Sequence, residues 1–273
     1  MAETDIALLI PVFNAQRELE RSLANLPGED EPVHVVVVDD GSDPPIVVSP
    51  PPSPHTVSLI RLARNQGIVG ALNAGLERIL REGFTYVARL DAGDISLPNR
   101  FRAQKEFLLK NPDYKLIGGQ AIMISPDGKE LGACYYPRAY SEIRRTMHYR
   151  NCFAHPAVMI KTEVFKETGL YVDTYPAAED YELFWRVVRR HKAANLEQFV
   201  VKYVADPQGI SRKRRRQQLV SGLRLMVKNF EPWVWESYAG FAKNLVLALL
   251  PSRLNWVLKR GLCGKLAAPK PGR

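Results

Sequence analysis

The chain has 273 residues, 46% of them apolar and 25% charged, which is enough for one large core or two modest ones and excludes a globally disordered or collagen-like chain. Its net charge of +9 is uneven: from Arg212 onward there are 14 Lys and Arg against two acids, leaving 24 against 27 in residues 1–211, so a body of about −3 precedes a tail of about +12. That asymmetry calls for an anionic partner at the tail, a membrane surface or nucleic acid, beside one catalytic domain.

Cys134, Cys152 and Cys263 are widely spaced without a Cys-x-x-Cys pair, and fit free thiols in a reducing cytoplasm. Glu3 and Asp5 stand where a secretion signal would be positive, and Pro11 closes the apolar run behind them, so this stretch reads as a strand and not a signal. Residues 6–12 are apolar throughout, as in a strand buried on both faces, and turn at Pro11-Val12-Phe13-Asn14. Leu19, Leu23 and Leu26 then recur at helical spacing. A second, β-branched run at 33–38 ends in Asp39-Asp40-Gly41-Ser42-Asp43. Two parallel strands ending in acid at one sheet edge would build half a nucleotide pocket, because a carboxylate accepts from a base N–H or a ribose hydroxyl. The alternative is a cap or turn, a common use of such residues. The proline-rich stretch 44–54 is an exposed, semi-rigid loop.

A third strand at 57–62 leads into Asn65-Gln66-Gly67 and a helical pattern through Leu72, Leu76, Ile79 and Leu80. Its small residues call for close packing on the sheet; Gly67 and Gly70 have neither a P-loop sequel nor dinucleotide-fingerprint spacing. Asn65 and Asn73 are candidate sugar or nucleotide contacts.

The strand at 86–90 carries Arg89 and ends abruptly at Asp91-Ala92-Gly93-Asp94. Ligands collect beyond the carboxyl ends of such strands, and two carboxylates there can hold a hard divalent cation that also grips phosphate oxygens; an acidic turn satisfying its own backbone is the alternative. Ser96-Leu97-Pro98-Asn99-Arg100 caps a helix to about residue 109, with Arg100 either neutralising the carboxylates or contacting a phosphate. A strand at 116–124, broken by Gly118-Gly119, turns at Ser125-Pro126-Asp127-Gly128 into a hairpin.

A short helix is expected over 141–150 and a strand over 151–160, where Pro156 holds His155 in extended backbone. His155 is either a structural hydrogen-bonded residue or an acceptor or diphosphate contact. Glu179-Asp180 open a helix that carries Trp185, a further acceptor or diphosphate candidate, and buries Leu183, Val187 and Val188. Acids at a helix start complement its dipole; in a pocket rim they serve as a general base.

The run Arg212-Lys213-Arg214-Arg215-Arg216 is either an anion contact, through Arg212 or Lys213, or a solvated helix start. Beyond it come Trp233, Trp235, Tyr238, Phe241 and Trp256 among aliphatics and flanking Lys and Arg. The longest unbroken apolar piece, 245–250, falls far short of the ~20 residues of a spanning helix, so the tail reads as an interfacial anchor on anionic lipid. Stacking aromatics are absent from the basic run itself, which argues against nucleic acid.

Five stations, Pro11-Val12-Phe13-Asn14, Asp39-Asp40-Gly41-Ser42, Asn65-Gln66-Gly67 with Asn73, Asp91-Ala92-Gly93-Asp94 and Glu179-Asp180, in this order resemble glycosyltransferase family 2 proteins of the GT-A fold over roughly residues 5–215. The resemblance implies an α/β protein with a Rossmann-like mixed sheet flanked by helices: a catalytic domain at 1–211, then a basic, amphipathic helical tail at 212–273. It implies inverting transfer of a sugar from a nucleoside-diphosphate donor, uridine diphosphate being the expected carrier, to a lipid-linked or cell-surface glycan acceptor at the cytoplasmic face of the membrane. Pro11, Val12, Phe13, Asn14, Asp39, Asp40, Asn65, Gly67 and Asn73 would then line the nucleotide, and Arg89, Asp91, Ala92, Arg100 and Arg212 the diphosphate. Asp91 and Asp94 would hold Mn²⁺ or Mg²⁺, with Asp180 the base and Glu179 beside it. One departure is Gly93, where the family usually has a third-position acid. Two other readings stand beside this one: a non-catalytic sugar-nucleotide-binding relative, and a nucleotidyltransferase, which would want a glycine-rich basic loop that residues 11–15 lack.

Overall fold

The computed structural model describes residues 4–26, 31–205 and 214–249. Its strands are β1 (Ile6–Val12), β2 (His34–Asp39), β3 (Thr56–Arg61), β4 (Tyr86–Arg89), β5 (Ile95–Ser96), β6 (Tyr114–Ile124), β7 (Glu130–Cys134), β8 (Met159–Lys161) and β9 (Lys192–Val204). Its helices are α1 (Gln16–Ala24), α2 (Gly67–Glu82), α3 (Arg100–Lys110), α4 (Tyr140–Thr146), α5 (Val164–Thr168), α6 (Glu179–Arg190), α7 (Arg215–Lys228) and α8 (Trp235–Leu249).

One mixed sheet runs β3-β2-β1-β4-β8-β6-β9-β5, with β7 paired to β6. The first four strands in that order are parallel, as crossover helices require, and β8 is antiparallel to both β4 and β6. All seven residues of β1 are buried, and alternation divides them between two cores. Ala7 and Leu9 face a core with α2 and α6; Ile6, Leu8, Ile10 and Val12 face one with α1 and α3. The small residues of α2 serve close packing, for a Cβ at Gly75 would lie 2.2 Å from Leu9 Cδ1.

The structure corrects the predicted elements in several places. Residues 151–160 are not one strand: His155–Ala157 form a 3₁₀ turn and only Met159–Lys161 pair. Helix α3 begins at Arg100, behind a left-handed Asn99, while Ile95–Ser96 pair with β9 instead of capping it. The sequence reading contained no strand at β9, whose register against β6 shifts three times, so its side chains do not keep a clean alternation.

Where described, the segment read as a basic helical tail packs on the body. Leu225 of α7 joins the core shared with α6, and Ser221 Oγ donates to the Pro176 carbonyl at 2.9 Å. In α8, Gly240 lies so near the His148 carbonyl that a Cβ would stand 1.9 Å from its oxygen. The apolar residues 254–258, Cys263 and the rest of 250–273 lie outside the described residues. Among the described residues no helix is long and apolar enough to cross a membrane.

Candidate active site

The parallel register brings the ends of β1, β2 and β4 to one edge. There Asn14 and Ser42 lace the first two loops: Ser42 Oγ accepts the Asn14 N–H at 2.9 Å, and Asn14 Oδ1 accepts the Asp43 N–H at 2.9 Å. Pro11 and Val12 are buried, whereas Phe13 and Asn14 are exposed at the rim. Asp39 is fully buried and accepts from Ser42 N–H at 2.9 Å, Ile46 N–H at 3.1 Å and Arg61 Nε at 3.3 Å. Burial alone would raise its carboxyl; these bonds outweigh it and leave the group below the usual carboxylate range. Asp40 is also buried and accepts the Gln66 N–H at 2.7 Å and the Gly67 N–H, so it caps α2. Burial pushes its carboxyl up. In this arrangement Asp39 and Asp40 organise the loops at this sheet edge, and the Gly67 N–H is occupied by protein. Asn65 is exposed beside them, while Asn73 is spent on the backbone of Tyr171, donating to its carbonyl and accepting its N–H, both at 3.0 Å.

At the end of β4, Asp91 has a side chain 44% exposed and accepts from Arg89 Nη2 at 2.5 Å. The recess around it raises its carboxyl, but the Arg89 guanidinium outweighs this and holds it below the usual range. Ala92 is half-buried. Gly93 has φ +99°, a backbone that glycine alone takes up readily, and its N–H is held by Ser22 Oγ at 2.9 Å and the Glu18 carbonyl at 3.0 Å. The turn geometry thus suits glycine at this position.

Asp94, 5% exposed, points back into the protein, where Oδ1 accepts the Val204 N–H at 2.8 Å; burial and then Asp91 push its carboxyl well up. A hard divalent cation wants anionic oxygen and completes its shell from water and phosphate. Asp91 fits that need, being anionic and accessible; Asp94, tied to β9 and favouring its proton, does not fit as a direct ligand. Among the described residues no three His, Cys, Asp or Glu side chains are arranged to hold a metal ion. Arg100 is also corrected: it is fully buried, bonded to the Arg89 carbonyl at 2.8 Å and to Gln104 at 3.3 Å, and offers no face to a phosphate.

Facing Asp91 across the edge is the start of α6. Asp180 Oδ2 accepts from Asn151 Nδ2 at 2.8 Å and Oδ1 from the Tyr181 N–H at 2.7 Å. Burial, then the neighbouring Glu179, raise the Asp180 carboxyl to about 7; burial likewise raises Glu179, which also feels Asp91, Arg89 and Arg214. His155 shares a 2.8 Å hydrogen bond with the Tyr171 hydroxyl, and burial, reinforced by Arg89, pushes its imidazole down to about 3, so it is neutral. Trp185 is buried and packs edge-on to His148 at 4.9 Å, which removes it as a substrate contact. Arg212 lies outside the described residues. Sequence reasoning missed Tyr171 and Asn151, which carry no motif; both are brought to Asp180 by loops that only the sheet positions.

The mixed sheet, with Asp91 at the end of its parallel strands and the acidic start of α6 nearby, has the architecture of the GT-A fold. The chain matches the family model described as Glycosyl transferase family 2 over residues 7–169, and it belongs to that family. It is 30% identical over 168 residues to the amylovoran biosynthesis glycosyltransferase AmsE of Erwinia amylovora, covering 61% of each chain. The chain thus spans about three fifths of that relative. Its fold is similar to the mannosyltransferase PcManGT of Pyrobaculum calidifontis, solved with GDP-Man and Mn²⁺ (TM-score 0.59, 16% identity, covering 96% of this chain and 81% of that one). It is also similar to Staphylococcus aureus TarS solved with UDP-GlcNAc (TM-score 0.60, 13% identity, 96% and 76%).

Proposed function

We propose that this glycosyltransferase transfers a hexose from a nucleoside-diphosphate sugar, a uridine diphosphate sugar first, to an acceptor hydroxyl with inversion, Asp180 serving as general base. The observation that carries this is the raised Asp180 carboxyl, at about 7, opposite the anionic Asp91 at the sheet edge. A base whose pKa lies near the working pH both accepts a proton readily and is free to do so. In a single displacement the acceptor oxygen attacks C1 from the face opposite the departing diphosphate, and its proton passes to Asp180. Glu179 keeps that carboxylate basic. Asp91 would hold a Mn²⁺ or Mg²⁺ ion, which when bound would neutralise charge on the diphosphate. Pro11 to Asn14, Asp39, Asp40 and Asn65 shape the nucleotide edge, and Ala92 lets a diphosphate approach the backbone beside Asp91. His155, neutral and hydrogen-bonded to Tyr171, is an acceptor-side contact.

The AmsE likeness favours an envelope polysaccharide or lipid-linked glycan as acceptor, and with it work at the cytoplasmic face of a membrane. The described part of 212–273 supports a peripheral contact: Trp233 and Trp235 are 92% and 66% exposed, near Lys228 and Lys243 in sequence. The test of the donor reading is thermal unfolding of the full-length protein with UDP, GDP, dTDP and their sugars, with and without Mn²⁺. A metal-dependent rise for one nucleotide supports it through binding linkage. No rise for any of them favours a non-catalytic relative.

A further inference from the structure

We propose that Asn151 is the positioning residue for the Asp180 carboxylate, fixing the orientation in which it meets the acceptor hydroxyl; this rests on the reading of Asp180 as base. Asn151 uses both ends of its amide. Nδ2 donates to Asp180 Oδ2 at 2.8 Å, and Oδ1 accepts the Phe153 N–H at 3.1 Å. Because the two ends have opposite polarity, only one amide orientation satisfies both. The second Asp180 oxygen is held by the Tyr181 N–H, so the carboxylate is fixed from its own helix and from the loop opposite.

The loop that carries Asn151 is itself firmly mounted. The Cys152 carbonyl accepts from Asn195 Nδ2 of β9 at 3.0 Å, and that amide also donates to the Pro137 carbonyl at 2.7 Å. The Tyr149 carbonyl accepts from Asn244 Nδ2 at 3.2 Å and Lys243 Nζ at 3.3 Å, both on α8. The helix pressed against His148 through Gly240 thus braces the loop three residues before Asn151.

The other groups that act on the Asp180 carboxyl are Glu179 and the backbone N–H groups of Asp180 and Tyr181 on its own helix, and Asp91 at the end of β4; Arg89 acts on Asp91, and Arg89 and Arg214 on Glu179. Two of these are carboxyls, which repel the charged form. A donated N–H favours it, so the Asn151 bond keeps the base ionisable where its surroundings would hold its proton. It also spares the reaction the cost of orienting a free carboxylate.

Asn151→Asp separates this role from a role in the loop alone. The new side chain has the same shape and still accepts the Phe153 N–H, but it meets Asp180 with an acceptor in place of a donor. Asn151→Ala is the second variant, losing both bonds. In full-length, ligand-free protein labelled with ¹³C-carboxyl aspartate, the Asp180 resonance is assigned by its loss in Asp180→Asn. We expect its titration midpoint to rise by about one unit in Asn151→Ala and further in Asn151→Asp. Release of nucleotide from UDP-glucose, UDP-GlcNAc or GDP-mannose, whichever is turned over, should fall about tenfold in kcat with KM unchanged. Unmoved midpoints and rates in both variants, with Asp180→Asn inactive, overturn the positioning role and leave Asn151 a loop residue. Retained turnover in Asp180→Asn overturns the base reading and the role of Asn151 with it.

Discussion

The guanidinium of Arg89, whose side chain is only 4% exposed, reaches the half-exposed Asp91 carboxylate at 2.5 Å and ties the acid at the end of β4 to a buried cation. The pair makes Asp91 anionic without a metal and makes Arg89 depend on it. Asp91→Ala should therefore abolish any Mn²⁺-dependent rise in melting temperature with nucleotide. It should also cost about 1–2 kcal/mol of stability, less than a fully buried pair because Asp91 meets solvent. Chemical denaturation of the ligand-free variant reads the second effect apart from the first.

Asp180→Asn should lower transfer at least about 100-fold while sparing nucleotide binding. With its carboxyl raised to about 7, the native group keeps a proton that the unfolded chain has lost above about 4. Its stabilising contribution is therefore fully present only below about pH 4 and is lost progressively as pH rises to about 7. The amide variant escapes that loss, and should melt at least ~3 °C above the native protein at pH 8, with the gap narrowing steadily as pH falls from 7 towards 4. A gap that stays constant over this range would show that the carboxyl is not raised. In the native enzyme, turnover should climb with pH to a plateau above about 7, as a base with this pKa requires.

Gly93→Asp restores the acid usual in the family but asks an L residue to hold φ +99°. Space is not the obstacle, since a Cβ there would meet Glu18 only at 3.5 Å. The backbone strain should cost about 1–3 kcal/mol in urea unfolding, with no gain in Mn²⁺ affinity.

Gly240→Ala places a methyl group 1.9 Å from the His148 carbonyl oxygen, so α8 must lift from the loop that carries Asn151. A loss of about 1–3 kcal/mol is expected, read by thermal unfolding.

Full-length protein should sediment at low salt with vesicles rich in phosphatidylglycerol. The substitution Trp233→Ala should weaken this several-fold without changing the melting temperature, since that side chain is 92% exposed. Absence of sedimentation in the native protein would remove the membrane from the proposal.

Pattern alone determined the parallel half of the molecule. Ile6–Val12, His34–Asp39 and Tyr86–Arg89 are buried on both faces, so each reads as a mainly apolar run, and β2 and β4 end at acids whose place at the sheet edge follows from parallel topology. The Glu179-Asp180 helix start was legible for the same reason, an apolar face beginning abruptly behind two acids. What those side chains do was decided by tertiary contacts. Asp39, Asp40 and Asp94 read alike with Asp91, yet only Asp91 is left half-exposed, because Ile46, Gln66 and Val204 bring backbone N–H groups to the other three. Likewise β9 exists through its pairing with β6, and Asn151 meets Asp180 only because β9 and α8 hold its loop in place. Burial leaves a periodic trace in a sequence; a hydrogen bond between residues 29 apart leaves none.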